Sequence, residues 1–221
     1  MSLKSKYQFE LEIGVDEAGR GPLFGRVYSG AVMIDSSFDT TRVKDSKKFT
    51  SKKRLMEAYN YILEHSVAWG VASIDEKLID KYNIREATFM AMHKAIRDLL
   101  SKVSTKNNIT LIIDGNCFRP FMYLKDQQYC NLPHTCIKNG DSLYASIAAA
   151  SIIAKVERDQ YIEDLCNKYS ILNEYYGIVK NKGYGTKEHM KGINTYGVTD
   201  FHRLSFTPCK NKTKIDLQIT Q

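Results

Sequence analysis

Apolar and polar side chains alternate over residues 9–16, FELEIGVD, with Phe9, Leu11, Ile13 and Val15 sharing one face. Strand side chains alternate with period two, so this run predicts a strand with one buried face. VYSGAVMI at 27–34 predicts a second strand after the Gly- and Pro-containing turn 19–25, and VAWGVASI at 67–74 a third. Residues 51–65 place Leu55, Met56, Tyr59, Ile62 and Leu63 at helical spacing. From Asp75 the pattern turns helical again, with Ala87, Met90, Ala91, Ala95 and Leu99 along 84–102. TLIIDG at 110–115 is a short apolar run closed by Asp-Gly and predicts a buried strand; HTCIK at 134–138 predicts a fifth. Residues 142–165 form a long helix rich in small residues, with Asp141 or Ser142 as its natural N-cap. A loop holding Gly177, Gly183 and Gly185 then leads to a short helix near 186–195.

Three strands on short links, followed by strands alternating with helices, predict an α/β chain with a mixed sheet and helices packed on it. The one boundary the pattern offers falls near 166–185. It separates a main body, residues 1–175, from a small helical C-terminal part, 176–206, and a frayed polar tail, 207–221.

Composition narrows the class. The 221 residues are 43% hydrophobic, enough to fill a core, which excludes global disorder. No stretch approaches the roughly 18–20 apolar residues of a membrane span. The opening MSLKSKYQFELE has no apolar signal segment, so a cytoplasmic protein is expected. Five cysteines without a CxxC pair fit free thiols in a reducing compartment better than disulfides or zinc. The net charge of +7 is uneven. RVKDSKKFTSKKR at 42–54 has seven basic side chains against the single acid Asp45, and 203–214 has Arg203, Lys210, Lys212 and Lys214 with no acid. Such runs are either solvated faces or phosphate contacts that release counterions.

Acids at the ends of apolar strands need explaining. Asp16 and Glu17 follow the first strand, Asp114 closes TLII, and Asp141 stands at the mouth of the long helix. A carboxylate beside a buried strand is costly unless it is paired, hydrogen-bonded or bound to metal. Convergent carboxylates with oxygen donors only favour Mg²⁺ or Mn²⁺, and two such ions can drive phosphodiester hydrolysis. Simpler roles fit each acid taken alone: Asp114 as a turn residue before Gly115, Asp141 as a cap, Asp16 and Glu17 as a turn start. Neighbours on a regular strand point to opposite faces, so Asp16 and Glu17 share a site only if the chain bends there, as Ala18 and Gly19 would permit.

GVDEAGRGP at 14–22 resembles the ribonuclease HII family, the type 2 ribonucleases H. The similarity continues in order through DSKKFTSKKR (45–54), LIIDGN (111–116), KNGDSLYASIAAASIIAKVERD (138–159), KGYGTKEHM (182–190) and FHRLSF (201–206), covering roughly residues 10–206. The resemblance implies a ribonuclease H-like fold: a five-stranded mixed sheet flanked by helices, with a small helical C-terminal part. It implies an endonuclease that cuts the RNA strand of RNA–DNA hybrids and cuts 5′ of single ribonucleotides in duplex DNA, leaving 5′-phosphate and 3′-hydroxyl ends. Asp16, Glu17, Asp114 and Asp141 take the family's catalytic and metal-binding positions, for two Mg²⁺ or Mn²⁺ ions.

The resemblance also assigns nucleic-acid contacts. Gly19, Arg20 and Gly21 match a loop that meets 2′-hydroxyls, the group that marks RNA. Tyr184 matches a tyrosine that stacks on the sugar at the RNA–DNA junction, against a simpler role in the core. Ser46, Lys47 and Lys48 match phosphate contacts. Lys155 and Arg158, three apart on one helix, share a face about 21 Å along the axis from Asp141 for Lys155. They would grip distant phosphates, or else pair with Glu157 and Asp159. His189 and His202 fit packing roles at least as well as functional ones. The expected partner is a hybrid or ribonucleotide-containing duplex, with no membrane, no obligate protein partner and a monomeric chain. The alternatives are a ribonuclease HIII-like hybrid nuclease, the catalytic subunit of the three-subunit eukaryotic enzyme, or a hybrid-binding module without catalysis.

Overall fold

Three antiparallel strands, β1 (Leu11–Ala18), β2 (Val27–Met33) and β3 (Ala68–Ile74), form one half of the central sheet. β4 (Ile109–Asp114) pairs parallel with β1 on its other side. The computed structural model describes residues 3–4, 11–104, 108–125 and 127–217. Two more strands, β5 (Met122–Lys125) and β6 (Gln128–Asn131), make a separate antiparallel hairpin. β7 (His134–Ile137) then pairs parallel with β4, giving a five-stranded mixed sheet in the order β3-β2-β1-β4-β7. Phe9, expected on the buried face of β1, lies outside the described residues.

Helices cover both faces. α1 (Lys52–His65) and α3 (Ala145–Lys168) pack on one side, where Val32, Ile62, Ile152 and Ile153 are buried together. α2 (Glu76–Leu100) packs on the other, where Ile13, Val15, Ile96, Leu99 and Leu111 meet. Each such aliphatic side chain removed from water contributes roughly 1.5–3 kcal/mol. α2 is bent at Asn83, whose φ is 67° and whose side chain accepts the N–H groups of Arg85 and Glu86.

The small residues expected in the long helix have a packing reason. A Cβ on Gly14 of β1 would sit 2.2 Å from the Ser146 carbonyl carbon, and one on Gly30 of β2 would sit 2.4 Å from the Ala150 oxygen. α3 therefore lies against the sheet backbone itself, the closest approach that side-chain volume permits. This contact presses the first turns of α3 onto the strand that carries Asp16.

Three short helices complete the chain: α4 (Ile171–Tyr176), α5 (Ile178–Asn181) and α6 (Lys187–Tyr196). They bury Leu172, Tyr176, Ile178 and Ile193 with Leu23 and Phe24 from the turn after β1. The last turns of α3 supply Ile162 and Cys166, so the C-terminal helices are built onto α3.

Two expectations are corrected and one element is added. The hairpin β5–β6 was not foreseen, because Met122, Leu124 and Tyr129 are exposed and the strands lack an alternating buried face. The end beyond 207 is not frayed as far as residue 217. Cys209 is buried, the Val198 N–H donates to Thr213 O at 2.8 Å, and the Ile215 N–H donates to Val198 O at 2.8 Å. Finally, neither Asp141 nor Ser142 caps α3. They lie in a separate 3₁₀ turn, Gly140–Ser142, and the N-cap is Tyr144.

Candidate active site

Parallel pairing sets the site. β1 and β4 run the same way, so Asp16 near the end of β1 and Asp114 at the end of β4 reach the same edge of the sheet. The strand does not bend at Asp16. Its ladder with β2 runs regularly through Asp16↔Gly30, Glu17↔Ser29 and Ala18↔Tyr28. Asp16 therefore faces α3, where it meets the Ser151 hydroxyl, and Glu17 faces α2 among Arg20, Arg85 and Thr88. The bend expected from Ala18 and Gly19 is not present at Asp16, and the two acids share Asp114 as a charge neighbour.

Asp114 is the common neighbour. Its charge raises the pKa of Asp16, of Glu17 and of Asp141. Its Oδ1 accepts the Gly140 N–H at 2.6 Å, which ties the end of β4 to the turn carrying Asp141. Asp16 is only 4% exposed; burial first, then the charges of Glu17 and Asp114, push its carboxyl well above the usual carboxylate range. The Glu17 N–H, donating to Asp16 Oδ1 at 2.6 Å, and the Ser151 hydroxyl offset part of that. Asp141 is raised by burial and by the charges of Asp45 and Asp114, while Lys47 pulls it down. Glu17 is raised by burial, and Arg20, donating at 3.3 Å, opposes this.

The donor set is four carboxylates crowded at one sheet edge, two of them almost fully buried. Like charges in such a place repel, and a divalent cation relieves the repulsion. Carboxylate oxygens suit hard cations of the Mg²⁺ or Mn²⁺ type. Among the described residues no three His, Cys, Asp or Glu side chains are spaced as ready-made ligands of one ion. The residues suit a divalent centre by the chemistry of their oxygens and by their mutual repulsion.

The loop after β1 carries the next group. Gly19 has φ +92° and its Cβ position is 2.2 Å from Arg158 Nε, so glycine is required there by the arginine beneath it. Gly21 and Arg20 are exposed. Tyr184 is half exposed, and its Cε1 is 3.4 Å from the Cβ position of Gly21, so the ring lies beside the loop. Lys47 and Lys48 are exposed on the turn Ser46–Lys48, capped by Asp45, whose side chain accepts the Lys47 N–H at 2.9 Å. Lys47 Nζ reaches Asp141 at 3.6 Å and Lys48 Nζ donates to Ser142 Oγ at 2.9 Å.

The ribonuclease HII family model matches residues 13–209. The chain belongs to the ribonuclease HII family. It is 42% identical over 197 residues to the ribonuclease HII of Parabacteroides distasonis, covering 89% of this chain and 90% of that one. The fold matches the ribonuclease H2 of Pyrococcus horikoshii with a TM-score of 0.69 at 22% identity, over 90% of this chain and 95% of that one. It also matches Bst-RNase HIII, solved in complex with Mn²⁺, with a TM-score of 0.64 at 21% identity, over 94% of this chain and 68% of that one. As a ribonuclease HII the chain is an endonuclease, a hydrolase of phosphodiester bonds, on a ribonuclease H-like fold. None of the helices described is long and apolar enough to cross a membrane.

Several expected contacts change within this family frame. Arg158 is 2% exposed, and its guanidinium donates to the carbonyls of Phe24, Arg26 and Lys182. It braces the loop from below, with its guanidinium committed to these carbonyls rather than presented at the surface as expected. Ser46 is buried with its hydroxyl 2.9 Å from that of Ser151, so its role is to fasten the lysine turn to α3. Lys155, a third exposed, pairs with Asp159 on the next turn. His189 and His202 are buried with their Nε2 atoms 3.1 Å apart, a packing and hydrogen-bonding role. Three residues were not placed at the site by the sequence: Asp45 beside Asp141, Ser151 beneath Asp16, and Arg203 beneath the Gly19–Gly25 loop. Ser151 and Arg203 carry no spacing signal, and Asp45 was visible only as the one acid of a basic run.

Proposed function

We propose that this ribonuclease HII cuts the RNA strand of RNA–DNA hybrids and cuts on the 5′ side of a single ribonucleotide in duplex DNA. The cut leaves a 5′-phosphate and a 3′-hydroxyl. The observation that carries this reading is the meeting of two features at one sheet edge. Asp114 is charge neighbour to Asp16, Glu17 and Asp141, and the Gly19–Gly21 loop with Tyr184 adjoins Glu17 through Arg20.

Asp16, Glu17, Asp114 and Asp141 would hold two divalent cations, Mg²⁺ or Mn²⁺. When bound, such ions activate a water and stabilise the leaving oxygen of a phosphodiester. The chain supplies the rest. The Glu17 N–H and Ser151 orient Asp16, and the Gly140 N–H orients Asp114. Lys47, 3.6 Å from Asp141 and exposed, is free at its tip to meet a phosphate oxygen while its charge opposes the burial that raises that carboxyl. Lys48 offers a second phosphate contact nearby. Arg20 and Gly21 present exposed backbone to a ribose 2′-hydroxyl. The Tyr184 ring, beside Gly21, packs on the adjoining sugar. The chain works as a monomer in the cytoplasm, without an obligate protein partner.

The test is a DNA duplex carrying one ribonucleotide, incubated with the full chain and Mg²⁺ or Mn²⁺. One cut 5′ of the ribonucleotide is expected from the wild type and none from Asp114→Asn. An intact duplex with the wild type, or undiminished cutting by the variant, rejects the reading.

A further inference from the structure

Arg203 is fully buried, the largest side chain in the molecule to be so among the described residues. Its hydrogen-bond partners are backbone carbonyls of a single loop. Nη2 donates to Gly19 O at 2.6 Å, Nη1 to Arg20 O at 3.0 Å and Pro22 O at 2.8 Å, and Nε to Gly25 O at 2.9 Å. The guanidinium also lies 5.3 Å from the centroid of the Phe206 ring. Burying a charge at this depth is costly, and four carbonyl dipoles aimed at one cation offset the cost. The arrangement fixes the direction of the loop's peptide planes. In a trans peptide the C=O and the following N–H point opposite ways. Carbonyls of Gly19 and Arg20 turned inward onto Arg203 therefore turn the N–H groups of Arg20 and Gly21 outward. Pro22 obeys the same rule: its carbonyl faces Arg203, and the Leu23 N–H donates the other way, to Gly183 O at 2.8 Å.

We propose that Arg203 is the positioning residue for ribose recognition: by clamping the carbonyls of Gly19, Arg20, Pro22 and Gly25 it aims the N–H groups of Arg20 and Gly21 at the 2′-hydroxyl of the substrate. The inference rests on the proposed function for its ligand, and on the four hydrogen bonds for its mechanism. Arg203 touches no substrate; it acts through the loop. Arg158, which holds Phe24, Arg26 and Lys182, braces the far side of the same turn.

The test compares the wild type with Arg203→Lys, whose single ammonium cannot reach four carbonyls at once. Asp80→Ala is the second variant. The Asp80 carboxylate accepts the N–H groups of Leu204 and Ser205 at 2.9 Å each, so its loss loosens the segment that bears Arg203 without touching the loop. Affinity is measured in EDTA, which withholds the cation, for two duplexes of one sequence: all DNA, and with one ribonucleotide. Arg203→Lys is expected to lose about tenfold of the preference for the ribonucleotide duplex, the scale of one or two misdirected hydrogen bonds, with its affinity for the DNA duplex unchanged. Asp80→Ala is expected to lose less, in the same direction. Hydrogen exchange supplies a readout without substrate: the amides of Leu23 and Gly25 should exchange faster in both variants while those of Ile13 and Val15 keep their protection. Equal weakening on both duplexes, as a general loss of structure would give, or unchanged exchange at Leu23 and Gly25, overturns the inference. If Arg203→Lys does not fold, Asp80→Ala decides by the same two readouts. A wild type without preference between the duplexes also overturns the inference, while the proposed function stands or falls on the cutting of the ribonucleotide duplex.

Discussion

The ammonium of Lys47 stands 3.6 Å from Oδ2 of Asp141, its tip in solvent while the carboxylate is buried. Lys47 thus partly offsets the burial that raises the Asp141 carboxyl, and its exposed tip is the proposed contact for a duplex phosphate. Lys47→Met should weaken binding of a ribonucleotide-containing duplex several-fold at low salt. Plotted as log affinity against log salt, the slope should become shallower by about 0.9, one phosphate contact. An unchanged slope would remove Lys47 from the phosphate track.

Tyr184 is 51% exposed and beside Gly21, so its loss should be felt by substrate more than by the fold. Tyr184→Ala is expected to cut a single-ribonucleotide duplex at least about tenfold more slowly, the value of one lost stacking contact. Tyr184→Phe keeps the ring and should keep most of the rate. Thermal unfolding of both variants should match the wild type, and a large drop would return Tyr184 to a core role.

His202 is buried beside His189, and burial pushes its imidazole down to about 3 from an ordinary value of 6.5. The unfolded chain takes up that proton at a higher pH than the folded one does. The stabilisation is therefore complete above about pH 6.5 and drains away as pH falls toward about 3. His202→Asn, which cannot take up a proton in this range, should be less stable than the wild type at pH 7 and show a flatter loss of stability between pH 6.5 and 4. Urea unfolding at several pH values measures it; parallel curves for the two proteins would mean that His202 titrates normally.

Gly30 has the Ala150 carbonyl oxygen 2.4 Å from where a Cβ would sit. Gly30→Ala must lift α3 off β2, with an expected loss of at least about 2 kcal/mol. The same shift moves Ser151 away from Asp16, so the divalent-ion concentration needed for half-maximal cutting should rise as well. Stability lost without any change in the metal requirement would mean that α3 moves as a unit without disturbing Asp16.

Much of this was legible along the chain. Ile13 and Val15 alternate into a core, and an acid that follows such a run asks for a partner. Asp16, Asp114 and Asp141 stood out for that reason, and the ordered motifs tied them to one family. Arg158 shows where legibility stops. Its spacing from Lys155 places both on one helix, but the carbonyls of Phe24, Arg26 and Lys182 that cover it come from segments far away in sequence. The hairpin β5–β6 was missed because two exposed strands leave no buried stripe to read.

The strands of the central sheet, the long helices and the family are decided by short-range periodicity and ordered motifs, so the sequence alone determined them. Which acid is the common charge neighbour, that Asp16 and Glu17 lie on opposite faces of an unbent strand, and which arginines are buried were decided only by the tertiary structure. These depend on the parallel pairing of β1 with β4, on α3 lying against Gly14 and Gly30, and on Arg203 reaching back to Gly19. Contacts of that kind join residues separated by most of the chain, and no local pattern encodes the distance between them.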